Sequence, residues 1–414
     1  MIFFYNLLIH IYHFLLQIAA LFNPKAKLWV DGRKNIFEDI RSKISHQKPI
    51  VWFHCASLGE FEQGRPVIEA FHEKYPEHQI LLTFFSPSGF EIRKNYPGAD
   101  YIFYLPLDTS ANAGKFLKLV KPEFAVCVKY EFWFNYLRQL KKAKISIIVV
   151  SAIFRPDQRF FKWWGKWQLK MLKSISHFFV QDEASKHLLN AVGISQVTVG
   201  GDTRFDRVFQ ISKQKKSFPV IEKFIHGNKL VLAGSTWPPD EDIIIGFMKK
   251  KPLNTKFIFA PHEVHEERIK SLVNKFSGEV IRFSQANESN ISTAKILIID
   301  NIGILSHLYQ YADIAYIGGG FGVGIHNILE AATFGNPVIF GPNFQKFREA
   351  RELIQSGGAF NINSDEDFGK ICNKLLDDKD FCQKCSEISK NYVEVKRGAT
   401  NKIINFIAHN LMKK

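Results

Sequence analysis

The sequence predicts an α/β protein built from two doubly wound, Rossmann-like domains. Three observations lead there. The chain has 414 residues, which suits two domains of ~200 residues better than one core. From about residue 48, short apolar runs alternate with polar, helix-like stretches. That alternation breaks at residues 209–228 and then resumes.

Taken in order, Met1 to Phe22 carries no Asp, Glu, Lys or Arg. A run of that length is a candidate membrane anchor, either crossing the bilayer or lying in its plane, with a core helix as the bland alternative. Asn6, His10, His13 and Gln17 interrupt it, and Lys25, Lys27, Arg33 and Lys34 follow it. Those cations would hold the rest of the chain on the cytoplasmic side. The first domain spans residues 23–208. Its strands are expected at Ile50–His54, Ile80–Phe85, Tyr101–Leu105, Phe124–Val128, Ile145–Val150, Phe178–Val180 and Gln196–Val199. Each is rich in β-branched or aromatic residues and bounded by turn residues, as in parallel strands buried on both faces.

Residues 209–228 are polar and basic and read as a linker. The second domain, 229–414, has strands at Leu230–Ala233, Phe257–Ala260, Val280–Phe283, Ile296–Ile299, Ile314–Ile317 and Val338–Phe340. Its last helix is a candidate to pack back on the first domain. In such folds ligands bind at the carboxyl ends of the strands. The five cysteines are odd in number, which fits a reducing compartment. Cys382 and Cys385 form a lone C-x-x-C without a second pair, which reads as two ordinary helical cysteines rather than a redox or metal site.

The strand ending at Ile317 runs into Gly318-Gly-Gly-Phe-Gly-Val-Gly-Ile-His-Asn-Ile-Leu-Glu330. Glycines Gly320, Gly322 and Gly324 let backbone approach a ligand, and a helix starting near His326 or Asn327 would favour phosphate there. No register fits G-x-G-x-x-G, and no Gly-Lys-Ser/Thr follows. A classical dehydrogenase and a P-loop NTPase are therefore disfavoured. Glu330 is placed to accept hydrogen bonds from ribose hydroxyls. The bland alternatives are a turn that only packs strand on helix and a solvated carboxylate.

In the first domain, Ile50–His54 leads into Ser57-Leu-Gly-Glu60. Glu60 falls at a helix start, where the dipole would keep it ionised and able to act as a general base. The alternative is a carboxylate that only stabilises the first turn. His54 reads as packed. His262-Glu-Val-His265 is not a zinc-protease motif, and no metal site is expected. The acidic run Asp240–Asp242 reads as a helix start or loop.

The net charge is +15. Residues 138–173 hold ten basic side chains and one acidic, a net of +9, interleaved with Phe154, Phe160, Phe161, Trp163, Trp164 and Trp167. As one helix, Phe160, Trp164, Trp167 and Met171 would form one stripe, and Lys162, Lys166, Lys170 and Lys173 another. Such a helix suits an anionic membrane surface better than nucleic acid, given the apolar N-terminus.

Together, Ser57-Leu-Gly-Glu60 and His326-Asn-Ile-Leu-Glu330 with Gly341-Pro342 resemble the 3-deoxy-D-manno-octulosonic acid (Kdo) transferases of lipid A and lipopolysaccharide assembly. The resemblance covers essentially the whole chain. It implies a GT-B architecture with two domains facing a cleft, at the cytoplasmic face of the inner membrane. It further implies an inverting, metal-independent transfer of Kdo from CMP-Kdo to a lipid A precursor, with no cofactor. Glu60 matches the catalytic base, and Asn327, Ile328, Leu329 and Glu330 match the CMP-binding segment. Gly303 matches a nucleotide loop in which Ile304 replaces the family's glutamate. Arg204 keeps the positive charge of the family's Lys-Phe-Asp. Ser235 and Thr236 match a small-hydroxyl turn at the donor, and His262 stands near the family's Pro-Arg-His. The family's Glu-Thr-Glu-Leu-Trp-Pro-Asn reads here Lys129-Tyr-Glu-Phe-Trp-Phe-Asn135, so Glu131 keeps the second glutamate and Lys129 replaces the first. Other readings are a membrane-associated transferase of a UDP-sugar and a non-catalytic, membrane-bound nucleotide-binding protein.

Overall fold

The computed structural model describes residues 2–412 except 215, 251–254, 277, 279 and 288. Met1 of the expected anchor and Lys215 of the expected linker lie outside the described residues. The chain divides into two units, Met1–Arg207 with Arg397–Lys414, and Val208–Lys396.

The first unit is one parallel sheet: β1 (Ile50–Cys55), β2 (Gln79–Phe84), β3 (Tyr101–Tyr104), β4 (Phe124–Val128), β5 (Ser146–Ala152), β6 (His177–Val180) and β7 (Val197–Val199). The order is β3-β2-β1-β4-β5-β6-β7. Every residue of β1 is buried because both faces are covered. Ile50 and Trp52 face one core layer, while Val51, Phe53 and Cys55 face the other. The Trp52 indole donates to Thr83 Oγ1 at 2.8 Å, so its burial leaves no orphaned N–H. β1 lies between β2 and β4, the point where the strand order reverses and where α/β sheets open a crevice.

The second unit repeats the plan with β8 (Lys229–Thr236), β9 (Thr255–Pro261), β10 (Val280–Arg282), β11 (Ile296–Ile298), β12 (Ile314–Ile317), β13 (Val338–Phe340) and β14 (Ala359–Asn361). The order β10-β11-β9-β8-β12-β13-β14 reverses between β8 and β12. Of these, β14 is absent from the expected strands: three residues at a sheet edge show no alternation to detect.

Three expectations are corrected. The linker is helical over Thr203–Lys213 and Pro219–Ile225. Val208 and Ile211, then Ile221 and Phe224, are buried at helical spacing, which the polar residues between them hide in the sequence. Within the first unit, Asp206 accepts from Gly398 N, Thr400 N and Thr400 Oγ1, anchoring the helix Ala399–Asn410. Ile403, Ile404 and Ile407 of that helix enter the core.

The N-terminal helix, Ile2–Ala19, has 18 residues, about 27 Å at 1.5 Å per residue. No helix among the described residues is long and apolar enough to cross a membrane. The polar interruptions account for this, and two residues of this helix bond to the protein: Tyr5 OH donates to Asp108 at 2.6 Å, and Asn6 accepts from Asn135 at 2.9 Å. Its outer side leaves Phe3, Phe4, Leu8, Phe14 and Leu15 exposed.

The basic stretch is not one helix either. Two 3-10 turns, Arg159–Phe161 and Trp163–Gly165, precede a short helix, Lys166–Leu172. The chain folds tightly back at Gly165, where a Cβ would fall 1.7 Å from Arg159 O. Phe160 packs on Phe132 and Phe154, Trp163 and Trp164 are exposed, and Trp167 and Met171 alone share a helical face.

Candidate functional site

In the first unit, candidate residues gather at the carboxyl ends of β1 and β4. Ser57 caps the helix Leu58–Lys74, and Glu60 completes a capping box by accepting from Ser57 N at 3.0 Å and Ser57 Oγ at 3.2 Å. The expectation that the dipole governs Glu60 is corrected. Burial pushes its carboxyl above the usual range, and the neighbouring Glu131 adds to that; Lys129, Ser57 and His54 oppose it.

Glu131 is held by two donors from different elements. Trp133 Nε1 donates to its Oε2 at 2.7 Å, and His54 Nε2 lies 3.2 Å from the same oxygen. His54 is buried, as expected of a packed residue, and its Nδ1 sits 2.8 Å from Thr83 Oγ1. The chain Thr83–His54–Glu131 thus ties the acidic group to the sheet. Lys129 adopts a left-handed backbone, φ 62°, directly after β4. Its charge acts on Glu60, so a cation supplies the field where the resemblance expects an acid. Arg204 is engaged elsewhere: its guanidinium pairs with Asp202 at 2.8 Å.

The second unit gathers its candidates around the end of β8 and the glycine loop. The helix expected near His326 or Asn327 begins at Leu329 and lasts one turn, Leu329–Ala332. The loop's N–H groups largely serve the fold. Gly318 N donates to Gly234 O at 2.9 Å, Gly319 N to Asp240 Oδ2 at 2.8 Å, and Gly322 N and Gly324 N both to Gly319 O. A Cβ on Gly318 would fall 2.3 Å from Ser235 O, and one on Gly320 2.5 Å from Gly341 N, so these glycines allow backbone to pack on backbone.

Asn327 Oδ1 accepts from Leu329 N at 3.2 Å, and its Nδ2 donates to Glu330 Oε1 at 3.1 Å, orienting that carboxylate. Ile328 and Leu329 are core, and their carbonyls already accept from Ala332 N and Thr333 N. Ser235 is left-handed, φ 53°, and Thr236 Oγ1 donates to Glu241 at 3.0 Å. Gly303, φ 99°, lies apart on the loop after β11, where a Cβ would meet nothing.

His262 stacks between two rings, with Trp237 at 4.9 Å and His326 at 4.3 Å between centroids. Trp237 Nε1 donates to His326 Nε2 at 3.2 Å. Burial, then His262, lowers the His326 pKa, so its ring stays neutral and can accept that bond. Sequence reasoning missed Trp237, Asp240, Glu241, Arg268 and His326 as site components. Asp240 joins Trp237 N, Tyr316 OH and Gly319 N, while buried Glu241 pairs with Arg268 and Lys275. The available signal was Trp237-Pro-Pro-Asp240 directly after a strand, a helix start whose acid can cap backward.

A family model, 3-deoxy-D-manno-octulosonic-acid transferase (kdotransferase), matches residues 33–207. Among curated relatives, a 3-deoxy-D-manno-octulosonic acid transferase of Rickettsia bellii is 28% identical over 356 residues, covering 83% of this chain and 82% of the relative. One from Haemophilus influenzae is 25% identical over 372 residues, covering 86% of each. Among solved structures, a UDP-GlcNAc 2-epimerase from Neisseria meningitidis superposes with a TM-score of 0.59 at 16% identity, covering 88% of this chain and 100% of that one. A glycosyltransferase from Rickettsia africae gives 0.57 at 13%, covering 89% and 100%. At such identities the structural likeness shows the fold, two Rossmann-like units of the GT-B class.

Proposed function

From the premise that the chain belongs to the Kdo transferases, glycosyltransferases of lipopolysaccharide synthesis, we propose that it moves Kdo from CMP-Kdo to a lipid A precursor. Glu60 takes the proton from an acceptor hydroxyl. The freed oxygen attacks the anomeric carbon of Kdo from the face opposite the phosphate, the bond to CMP breaks, and the configuration inverts. Asn327 and Glu330 hold the ribose and His262 stands beside the nucleotide.

One observation carries the assignment of the base. Glu60 is fixed by Ser57 at a strand end, with burial and Glu131 raising its pKa toward the range of an effective base. Membrane attachment is supported by the exposed apolar side of the helix Ile2–Ala19 and the net +9 of residues 138–173. In this reading the helix lies in the plane of the cytoplasmic face of the inner membrane.

The test is CMP release by the full chain from CMP-Kdo with a lipid A precursor in vesicles. Glu60→Gln should lower kcat by at least ~100-fold, the usual worth of a general base, with CMP affinity kept. Near-normal turnover in that variant overturns the base assignment. Preference for a UDP-sugar over CMP-Kdo overturns the donor.

A further inference from the structure

Two helices of the first unit, Phe134–Lys142 and Lys166–Leu172, border a cavity of about 380 Å³ that nothing above assigns. The first contributes Phe134, Leu137, Arg138 and Lys141 at i, i+3, i+4 and i+7, and the second Trp167, Lys170 and Met171 at i, i+3 and i+4, the spacing of one helical face. The floor is apolar: Phe134 and Leu137 from one helix, Trp167 and Met171 from the other. The rim is cationic, with Arg138, Lys141 and Lys170 exposed, and Ser174 closes one end. No acidic side chain is among the residues that line it.

An apolar slot bordered by fixed positive charge has the chemistry of an anionic amphiphile, a hydrocarbon tail below and a phosphate above. Its position agrees. Tyr5 of the N-terminal helix packs on Phe134 and Trp167, at 5.4 and 6.1 Å between ring centroids. The slot therefore opens beside the helix whose outer side exposes Phe4 and Leu8.

We propose that this slot seats one acyl chain of an anionic bilayer phospholipid, with Arg138, Lys141 and Lys170 on its phosphate. The inference rests on the membrane placement proposed above and deepens it from surface attraction to a defined lipid site. Because each buried methylene strengthens binding about fourfold, affinity should climb steeply with chain length until the slot is full, which plain surface charge would not produce.

The test titrates the full chain with short-chain lysophosphatidylglycerols below their micellar concentrations, followed by calorimetry, beside co-sedimentation with phosphatidylglycerol vesicles. Saturable one-to-one binding is expected, weaker by tenfold or more for the phosphocholine analogue. Ser174→Trp, which fills the slot, should lower affinity at least tenfold. The surface pair Lys141→Glu with Lys170→Glu, which leaves the core untouched, should do likewise and flatten the salt dependence. Binding that ignores both variants, or that treats phosphocholine and phosphoglycerol alike, overturns the proposal. Vesicle binding kept while the slot takes no lysolipid overturns the slot alone. A filled slot without vesicle binding supports the slot and overturns the membrane placement.

Discussion

Asp240→Ala should cost the second unit about 4 kcal/mol and free the glycine loop. Asp240 is 1% exposed and accepts three hydrogen bonds: from Tyr316 OH at 2.8 Å, Gly319 N at 2.8 Å and Trp237 N at 2.9 Å. Tyr316 is fully buried, and burial with the adjacent carboxylate pushes its phenol far up, so it remains a donor at any working pH. Each buried donor orphaned by the substitution costs ~1–3 kcal/mol. Two such donors, Tyr316 OH and Gly319 N, with a lost helix cap worth ~1 kcal/mol, give the figure above. Guanidinium unfolding should show the loss in the transition of the second unit. Exchange of the Gly319 amide should accelerate at the same time, because its only fixed acceptor is gone. Tyr316→Phe removes one of the bonds and should cost ~1–2 kcal/mol. The double variant should then cost less than the two singles together. A loss under ~1 kcal/mol with unchanged Gly319 exchange would refute the claim that this carboxylate pins the loop.

The proposed role of Glu60 as general base predicts that turnover depends on pH. Its raised pKa places the acid limb of kcat/KM above the ordinary carboxylate value of 4.5, and Glu60→Gln should abolish that limb. For stability the sign is opposite: a carboxyl with a raised folded pKa favours the fold when protonated, a contribution present below 4.5 and lost as pH rises through the folded value. Unfolding of wild type against Glu60→Gln across that window checks it. His326 behaves conversely, since its lowered pKa means stability present above 6.5 and lost on acidification through the folded value, as protonation removes the acceptor of the Trp237 bond. A His326→Gln protein whose unfolding free energy fell on acidification as steeply as wild type would count against this. Gly318→Ala drives a Cβ to 2.3 Å from Ser235 O and 2.6 Å from the Thr236 Cα, backbone atoms that cannot rotate away. It should cost ~3 kcal/mol and weaken CMP binding, readable by unfolding and calorimetry.

Much of the architecture is legible in the residues because strands buried on both faces must be continuously apolar. β4 and β12 fall where the apolar runs end, and β1, β8 and β9 differ from expectation only at their edges. The Ser57–Glu60 capping box is legible too, since a cap is local chemistry within four residues. Where contacts are remote the reading fails. Nothing local says that His54, 77 positions before Glu131, braces it, or that Asp240 reaches Gly319, 79 positions later. The regular spacing from Phe160 to Met171 suggested one helix, yet Gly165 against Arg159 O interrupts it.

By itself, then, the sequence determined the two-sheet α/β plan, the basic and aromatic stretch, and the motifs of the Kdo transferases, because hydrophobic period, charge and short-range capping are local properties. The tertiary structure alone decided the direction in which the Glu60 pKa moves and the partners that hold the glycine loop. A pKa depends on burial and on whichever charges the fold brings near. A loop's N–H groups are free for a ligand only where distant residues such as Asp240 have not already taken them.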